Sequence, residues 1–256
     1  MQNRHTETFS EIIKDKVKEL QKRRVRMILT NLLYFVALLI IGLVMFFKDA
    51  GQWIYVPIAA IFLFYLFVDR PMLKGFEHDL RESILRFGVM SRLDEAEYLP
   101  KEGVPQHYIT DAGFINVIAD KAFLSRELIK GRSQSADIQI ADVTFPIREG
   151  GLNKMFSGCL IHLEDNKADY PKLDIVAGDI SGMPDGKERR LVKKIGEFIP
   201  GSLYLHREGH VMDVLLRGRF VGFQINPLGE VHESTLKSDP LPELKQVLEL
   251  AEEYRA

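Results

Sequence analysis

MILTNLLYFVALLIIGLVMFF, Met27 to Phe47, is a run of 21 residues without a charge. As a helix rising about 1.5 Å per residue it spans about 31 Å, the thickness of a bilayer's hydrocarbon core. AGQWIYVPIAAIFLFYLFV, Ala50 to Val68, is a second charge-free run, of 19 residues. Between the two, only Lys48 and Asp49 are charged. Buried helices of a soluble protein are seldom apolar all round for this long, and two in succession are rarer. A cleaved secretion signal fits no better. The first run is too long for one, follows 26 mostly polar residues, and has no small-residue cleavage site behind it. The runs predict a membrane α-helical hairpin of two transmembrane helices, 27–47 and 50–68, followed by a soluble α+β domain with a mostly antiparallel sheet.

Flanking charge sets the expected orientation. Residues 1–26 carry eight basic side chains against four acidic ones, and Arg70 and Lys74 follow the second run. Both termini are expected on the cytoplasmic side, with Trp53 and Tyr55 anchoring the outer end of the second span. The spans contain no ionisable residue, which argues against a pump or an ion-coupled transporter and disfavours a channel built from oligomerised hairpins. Gly42 and Pro57 are candidates for shaping the packing of the two helices.

The flanks read as further helices. In residues 9–20, Phe9, Ile12, Ile13, Val17 and Leu20 share one helical face. Such a helix either lies on the inner membrane surface or packs as an amphipathic flank on the soluble domain. Asp69-Arg70-Pro71 predicts a break, because proline disfavours helix in the residue before it. Residues 73–92 then form a juxtamembrane helix that, with its linker, runs to residue 98, and the soluble domain occupies 99–256.

The whole chain has 256 residues, with 34 basic and 36 acidic side chains. The resulting net charge of -2 excludes the basic surplus of a dedicated nucleic-acid binder. A single cysteine excludes an intrachain disulfide and multi-cysteine metal sites. Within 99–256, period-2 alternation predicts strands around Ile138 to Asp142 and Gly158 to Glu164. Phe123 to Lys130 is open between helix and strand, and Leu173 to Ile180 is a further candidate strand. Leu203–His206, Val211–Leu216 and Phe220–Ile225 predict a three-strand meander. Lys187 to Phe198 reads as a basic helix. A final helix after Asp239-Pro240 carries the stripe Leu241, Leu244, Val247, Leu248, Ala251 and Tyr254.

Chemistry-bearing residues are dispersed. His206 and His210 in HREGH lack the HExxH order of a zinc-protease helix, and the turn glycine predicts solvent-exposed turn histidines. Gly182 to Lys187 has three residues between its glycines where a phosphate loop needs four. Cys159 is expected in the core, since His162, three residues on, faces the other side of the same strand. Lys187, Arg189, Arg190, Lys193 and Lys194 form a basic helical face, either solvated or a contact for anionic lipid or an acidic partner. No cofactor and no metal is expected.

Tyr98-Leu99-Pro100, Ile109 to Ile115 (ITDAGFI), Phe123 to Gly131, the strand around Asp137 to Phe145, and MFSGCL at Met155 to Leu160 follow the two spans in that order. This layout resembles a bacterial family of membrane proteins with two N-terminal transmembrane helices and a cytosolic C-terminal domain of unknown function. The family tends to carry a Phe-x-Gly-Leu-aromatic segment, which Phe156-Ser157-Gly158 matches and Cys159-Leu160 does not. The resemblance implies a bacterial inner-membrane location and carries no activity or catalytic residues with it.

Two functions stay open at this stage. The first is a membrane-anchored interaction module, binding a protein or lipid partner or self-associating through its hairpin. The alternative is a membrane-bound enzyme, for example a hydrolase, drawing on His107, Asp111, His162, Glu164, His206, His210 and Asp213. A reporter fused after residue 49 is expected to behave as external, and cytoplasmic behaviour there would contradict the orientation.

Overall fold

The computed structural model describes residues 2–48, 51, 55–113, 115–118, 123–134, 136–183, 185–198, 202–222 and 225–254. The chain divides into two compact units, Met1–Ile84 with Gln224–Ser238, and Leu85–Phe223 with Asp239–Ala256.

The first unit is helical. α1 (Gln2–Phe47) is one continuous helix, so residues 9–20 and the first apolar run share an axis. The flank therefore extends the apolar helix and does not turn to lie across it. Ile13 and Leu20 on the flank are buried, while Ile12 is exposed. α1 packs on the short α6 (Glu233–Leu236), and Gln21 and Arg24 accept from and donate to the return segment at Val231 and Leu228. α2 (Tyr55–Phe64) runs antiparallel in sequence sense and is joined without interruption to α3 (Arg70–Gly88) by a π-turn at Tyr65–Asp69. The break expected before Pro71 does not occur. Arg70 N–H bonds back five residues to Tyr65, and this widened turn takes up the strain of a residue that cannot donate.

Two helical stretches, Glu11–Phe47 and Tyr55–Arg92, are long and apolar enough to cross a membrane. Their large side chains stay open to the surroundings, among them Leu33, Phe46, Phe47, Phe62 and Phe67. Where the two helices meet, a Cβ on Gly42 would stand 3.9 Å from Pro57, and Tyr34 stacks on Phe64 with ring centroids 3.8 Å apart. Trp53 lies outside the described residues, and Tyr55 is exposed.

The second unit contains a seven-stranded sheet in the order β1-β2-β3-β4-β7-β6-β5, with each neighbouring pair of strands antiparallel. The strands are β1 (Asp94–Leu99), β2 (Leu124–Ser133), β3 (Ala136–Glu149), β4 (Leu152–Glu164), β5 (Tyr170–Ile175), β6 (Leu203–Gly209) and β7 (Val211–Arg217). The open segment at 123–130 is thus a strand. Among the described residues of the expected third strand of the meander, 220–222 and 225, none is in a strand: β4 occupies the edge of β7 that it would need. Residues 220–222 are instead held by Asp142, which accepts from the Val221 and Gly222 amides, and residues 223 and 224 lie outside the described residues.

Period-2 geometry divides the sheet residues between two faces. One face carries Ile140, Ile161, Val214, Leu205 and Ile175, paired in register across five strands. It is covered by α5 (Lys187–Phe198), through Leu191, Val192 and Ile195, and by α7 (Glu243–Glu252), through Leu244, Val247, Leu250 and Ala251. Arg207 is buried on this side, bonded to the Pro171 carbonyl and Glu188 and set 4.3 Å from the Tyr254 ring. The other face is only half covered. Val104, Ile109 and Ile115, from the segment around the short α4 (His107–Thr110), pack on Leu128, Phe145, Phe156, Leu160, Tyr204 and Leu215.

Gly158 sits where the backbone of β7 lies close against β4. An added Cβ would stand 2.2 Å from the Leu216 carbonyl oxygen and 2.9 Å from the Arg217 Cα, both backbone. Gly158→Ala is expected to destabilise the sheet unit by about 2–4 kcal/mol, whereas Gly182→Ala, into open space, changes little. Labelling of the single, buried Cys159 thiol under increasing denaturant measures both.

Candidate active-site cleft

Beyond the apolar half of the second face, register alone assembles a polar row. Gln139 on β3 pairs with His162 on β4, His162 with Asp213 on β7, Asp213 with His206 on β6, and His206 with Asp174 on β5. Two residues further along each strand, Asp137, Glu164, Val211 and Glu208 form the next row. Two residues back lie Ala141, Leu160, Leu215 and Tyr204, in the core. One face thus grades from apolar to imidazole–carboxylate to acidic within four residues of strand.

The polar row is bonded side chain to side chain. His162 Nδ1 and Asp213 Oδ1 lie 2.7 Å apart, and both residues are buried, at 4% and 2% exposure. His206 Nδ1 and Asp174 Oδ1 lie 2.6 Å apart. Tyr108 of α4 stacks on the His162 ring with centroids 3.8 Å apart and planes 8° from parallel. Its hydroxyl accepts from Gln139 Nε2 at 3.1 Å. An ionised carboxylate can only accept, so Asp213 fixes the proton of His162 on Nδ1 and leaves Nε2 as the basic nitrogen. Nε2 carries no hydrogen bond among the described residues.

These residues open onto a cleft of about 360 Å³ lined by His107, Tyr108, Asp111, Ala112, His162, Glu164, His206, Glu208, Val211 and Asp213. Six of the seven dispersed residues named from sequence meet there. His210 does not line the cleft: its Nδ1 donates to the Ala168 carbonyl at 2.5 Å and ties the β6–β7 turn to the 165–168 loop. The expectation that both HREGH histidines are exposed is corrected for His206, which is buried at 7% exposure because the hairpin register turns it inward against Asp174 and Asp213. Tyr108, Gln139, Asp174 and Glu208 were not singled out from sequence. Among the described residues no cluster of three or more metal-ligating side chains has metal-site geometry.

The remaining candidates fall elsewhere. Cys159 is fully buried on the helix-covered face; burial, with Asp142 and Glu243 adding to it, pushes its thiol well above the ordinary value. On α5, Lys187 pairs with Glu253 and Arg189 with Asp185 at 2.6 Å, while Arg190, Lys193 and Lys194 are exposed. Arg189, Arg190 and Lys193 border a separate hollow of about 860 Å³, with Ile180, Asp185 and Gly186. Comparison with protein-family models, curated proteins and solved structures finds no match for this chain.

Burial pushes the Asp213 carboxyl up, against the opposing pull of the His162 bond and the charges of His162 and His206. A carboxyl raised on folding holds its proton more tightly in the native state. Its contribution to stability therefore falls as pH rises from the ordinary 3.8 through the raised folded value. Over that window the wild type is expected to lose stability relative to Asp213→Asn, and above it the difference is flat. Denaturant unfolding across a pH series reads this slope directly.

Proposed function

We propose that the chain is a membrane-anchored acid–base enzyme of the hydrolase type, with both termini on the cytoplasmic side of a bacterial inner membrane. Two observations support the anchor. The apolar helices leave large side chains open all round, a surface that water does not tolerate and lipid tails cover. The flanks are basic on the side assigned to the cytoplasm.

The observation that carries the enzymatic reading is the convergence of two carboxylate-held histidines on one cleft. His162, oriented by Asp213, takes a proton from a water through Nε2. The water oxygen attacks the substrate, and Asp213 stabilises the imidazolium that forms. His206, held by Asp174, returns a proton to the leaving group, so one water is added across the broken bond. Two strands separate the imidazoles, about 10 Å, which leaves room for the scissile group between them. Tyr108 and Gln139 position the His162 ring without touching the reacting atoms.

The direct test is a panel of reporter esters, amides, phosphoesters and glycosides offered to the full chain in nanodiscs. His162→Gln is expected to lower kcat/KM by about 10²–10⁴-fold, with Asp213→Asn nearly as damaging and Lys194→Gln without effect. Turnover that ignores His162→Gln, or none with any class, overturns the assignment.

A second reading, an interaction module for a protein or lipid partner, draws on the exposed Arg190, Lys193 and Lys194 of α5. It is weaker, because Glu197 is exposed in the same arc and two of the five basic residues are already paired.

A further inference from the structure

We infer that one face of α1 holds the headgroup of an anionic phospholipid, with Lys22 and Arg26 as the groups that select it. The inference rests on the membrane-anchored reading and adds to it a lipid class and a site. Lys22-Arg23-Arg24-Val25-Arg26 immediately precedes the first apolar run. The fold engages the two middle arginines internally. Arg23 pairs with Asp79 of α3, and Arg24 donates to the Leu228 carbonyl at 3.0 and 2.7 Å. Lys22 and Arg26 lie one turn apart on the face opposite the buried Leu20, Met27 and Leu38. Both are exposed, and neither has an ion pair or a hydrogen bond among the described residues.

The two cations border a hollow of about 390 Å³ that Val25, Leu29, Thr30 and Leu33 complete, all exposed residues of the same helix face. The described residues that line it include no carboxylate. Glu19, one turn before Lys22, is engaged by Lys16 at 3.0 Å. The order of side chains along the axis is that of a phospholipid. At about 1.5 Å per residue, Lys22 stands roughly 7.5 Å outside the start of the apolar run and Arg26 stands at its edge, the depth of the phosphate layer. Thr30, one turn deeper, offers a hydroxyl at the level of the ester groups, and Leu29 and Leu33 meet the acyl chains. Two cations facing no acid favour a headgroup of net negative charge over a zwitterionic one, whose own ammonium they repel. A free phosphate or an acidic peptide would leave Leu29 and Leu33 uncovered, whereas a lipid fills both halves of the hollow.

The full chain in nanodiscs of equal parts phosphatidylglycerol and phosphatidylcholine tests the inference, with the lipids that stay bound counted by native mass spectrometry. The wild type is expected to retain phosphatidylglycerol over phosphatidylcholine by about tenfold, and the Lys22→Gln/Arg26→Gln variant to hold the two within about twofold of each other. Lys14→Gln/Lys18→Gln removes the same charge from exposed positions of α1 outside the hollow, and is expected to keep the preference. Equal retention of both lipids by the wild type, an unchanged preference in the Lys22/Arg26 variant, equal losses in the two variants, or displacement of phosphatidylglycerol by soluble glycerol phosphate each overturns the inference. Resistance of the liposome-bound chain to alkaline carbonate reads the anchor separately, and both variants are expected to resist as the wild type does. A chain that resists carbonate and shows no lipid preference removes only this inference. A chain that carbonate releases removes the anchored reading and the inference with it.

Discussion

The antiparallel register of β4 against β7 is the constraint on which the sheet unit depends. It is locked at Gly158, where any side chain would enter the Leu216 carbonyl. From that point every second residue is committed to a face. Leu160 opposite Leu215 closes the core, His162 opposite Asp213 makes the buried pair, and Glu164 opposite Val211 reaches the rim. A slip of one residue would move His162 into the helix-covered core and Cys159 or Ile161 into the cleft. The polar row and the hydrophobic core are thus two consequences of a single pairing.

A buried imidazole and carboxylate are costly unless each satisfies the other. The row meets that condition by alternation. Asp213 lies between His162 and His206 in register, and Asp174 holds the outer nitrogen of His206. Burial still leaves a mark, seen in the raised Asp213 carboxyl. The uneven covering of the sheet gives the row its access to solvent. Helices α5 and α7 cover one face, while the segment around α4 covers only the apolar half of the other. Tyr108 stands at that border, its ring on His162 and its hydroxyl on Gln139, so the edge of the core is also the wall of the cleft.

The helical unit is built on a different pattern. Its long apolar faces are uniform, and the details that shape it are local. A π-turn admits Pro71 without breaking the helix, and Gly42 faces Pro57 with room for a Cβ at ordinary contact distance. Neither feature follows from hydropathy, which reports length and polarity and is blind to the hydrogen-bond shift that absorbs a proline.

Sequence alone determined the features governed by short-range periodicity. Two apolar runs, the α5 helix with the bounds later observed, the β6–β7 hairpin, the strands containing Ile138 and Cys159, and the placement of Cys159 opposite His162 all follow from spacings of two or of three and four residues. The hairpin even held the clue that His206 faces Asp213, since a tight turn between Gly209 and Val211 sets that register. Tertiary structure alone decided that β4 pairs with β7, displacing the third strand of the meander, and that β5 adds Asp174 to His206. Pairings between strands separated by some fifty residues leave no periodic trace in the chain, because they are chosen by the burial of whole faces. The cleft exists only once those faces have met.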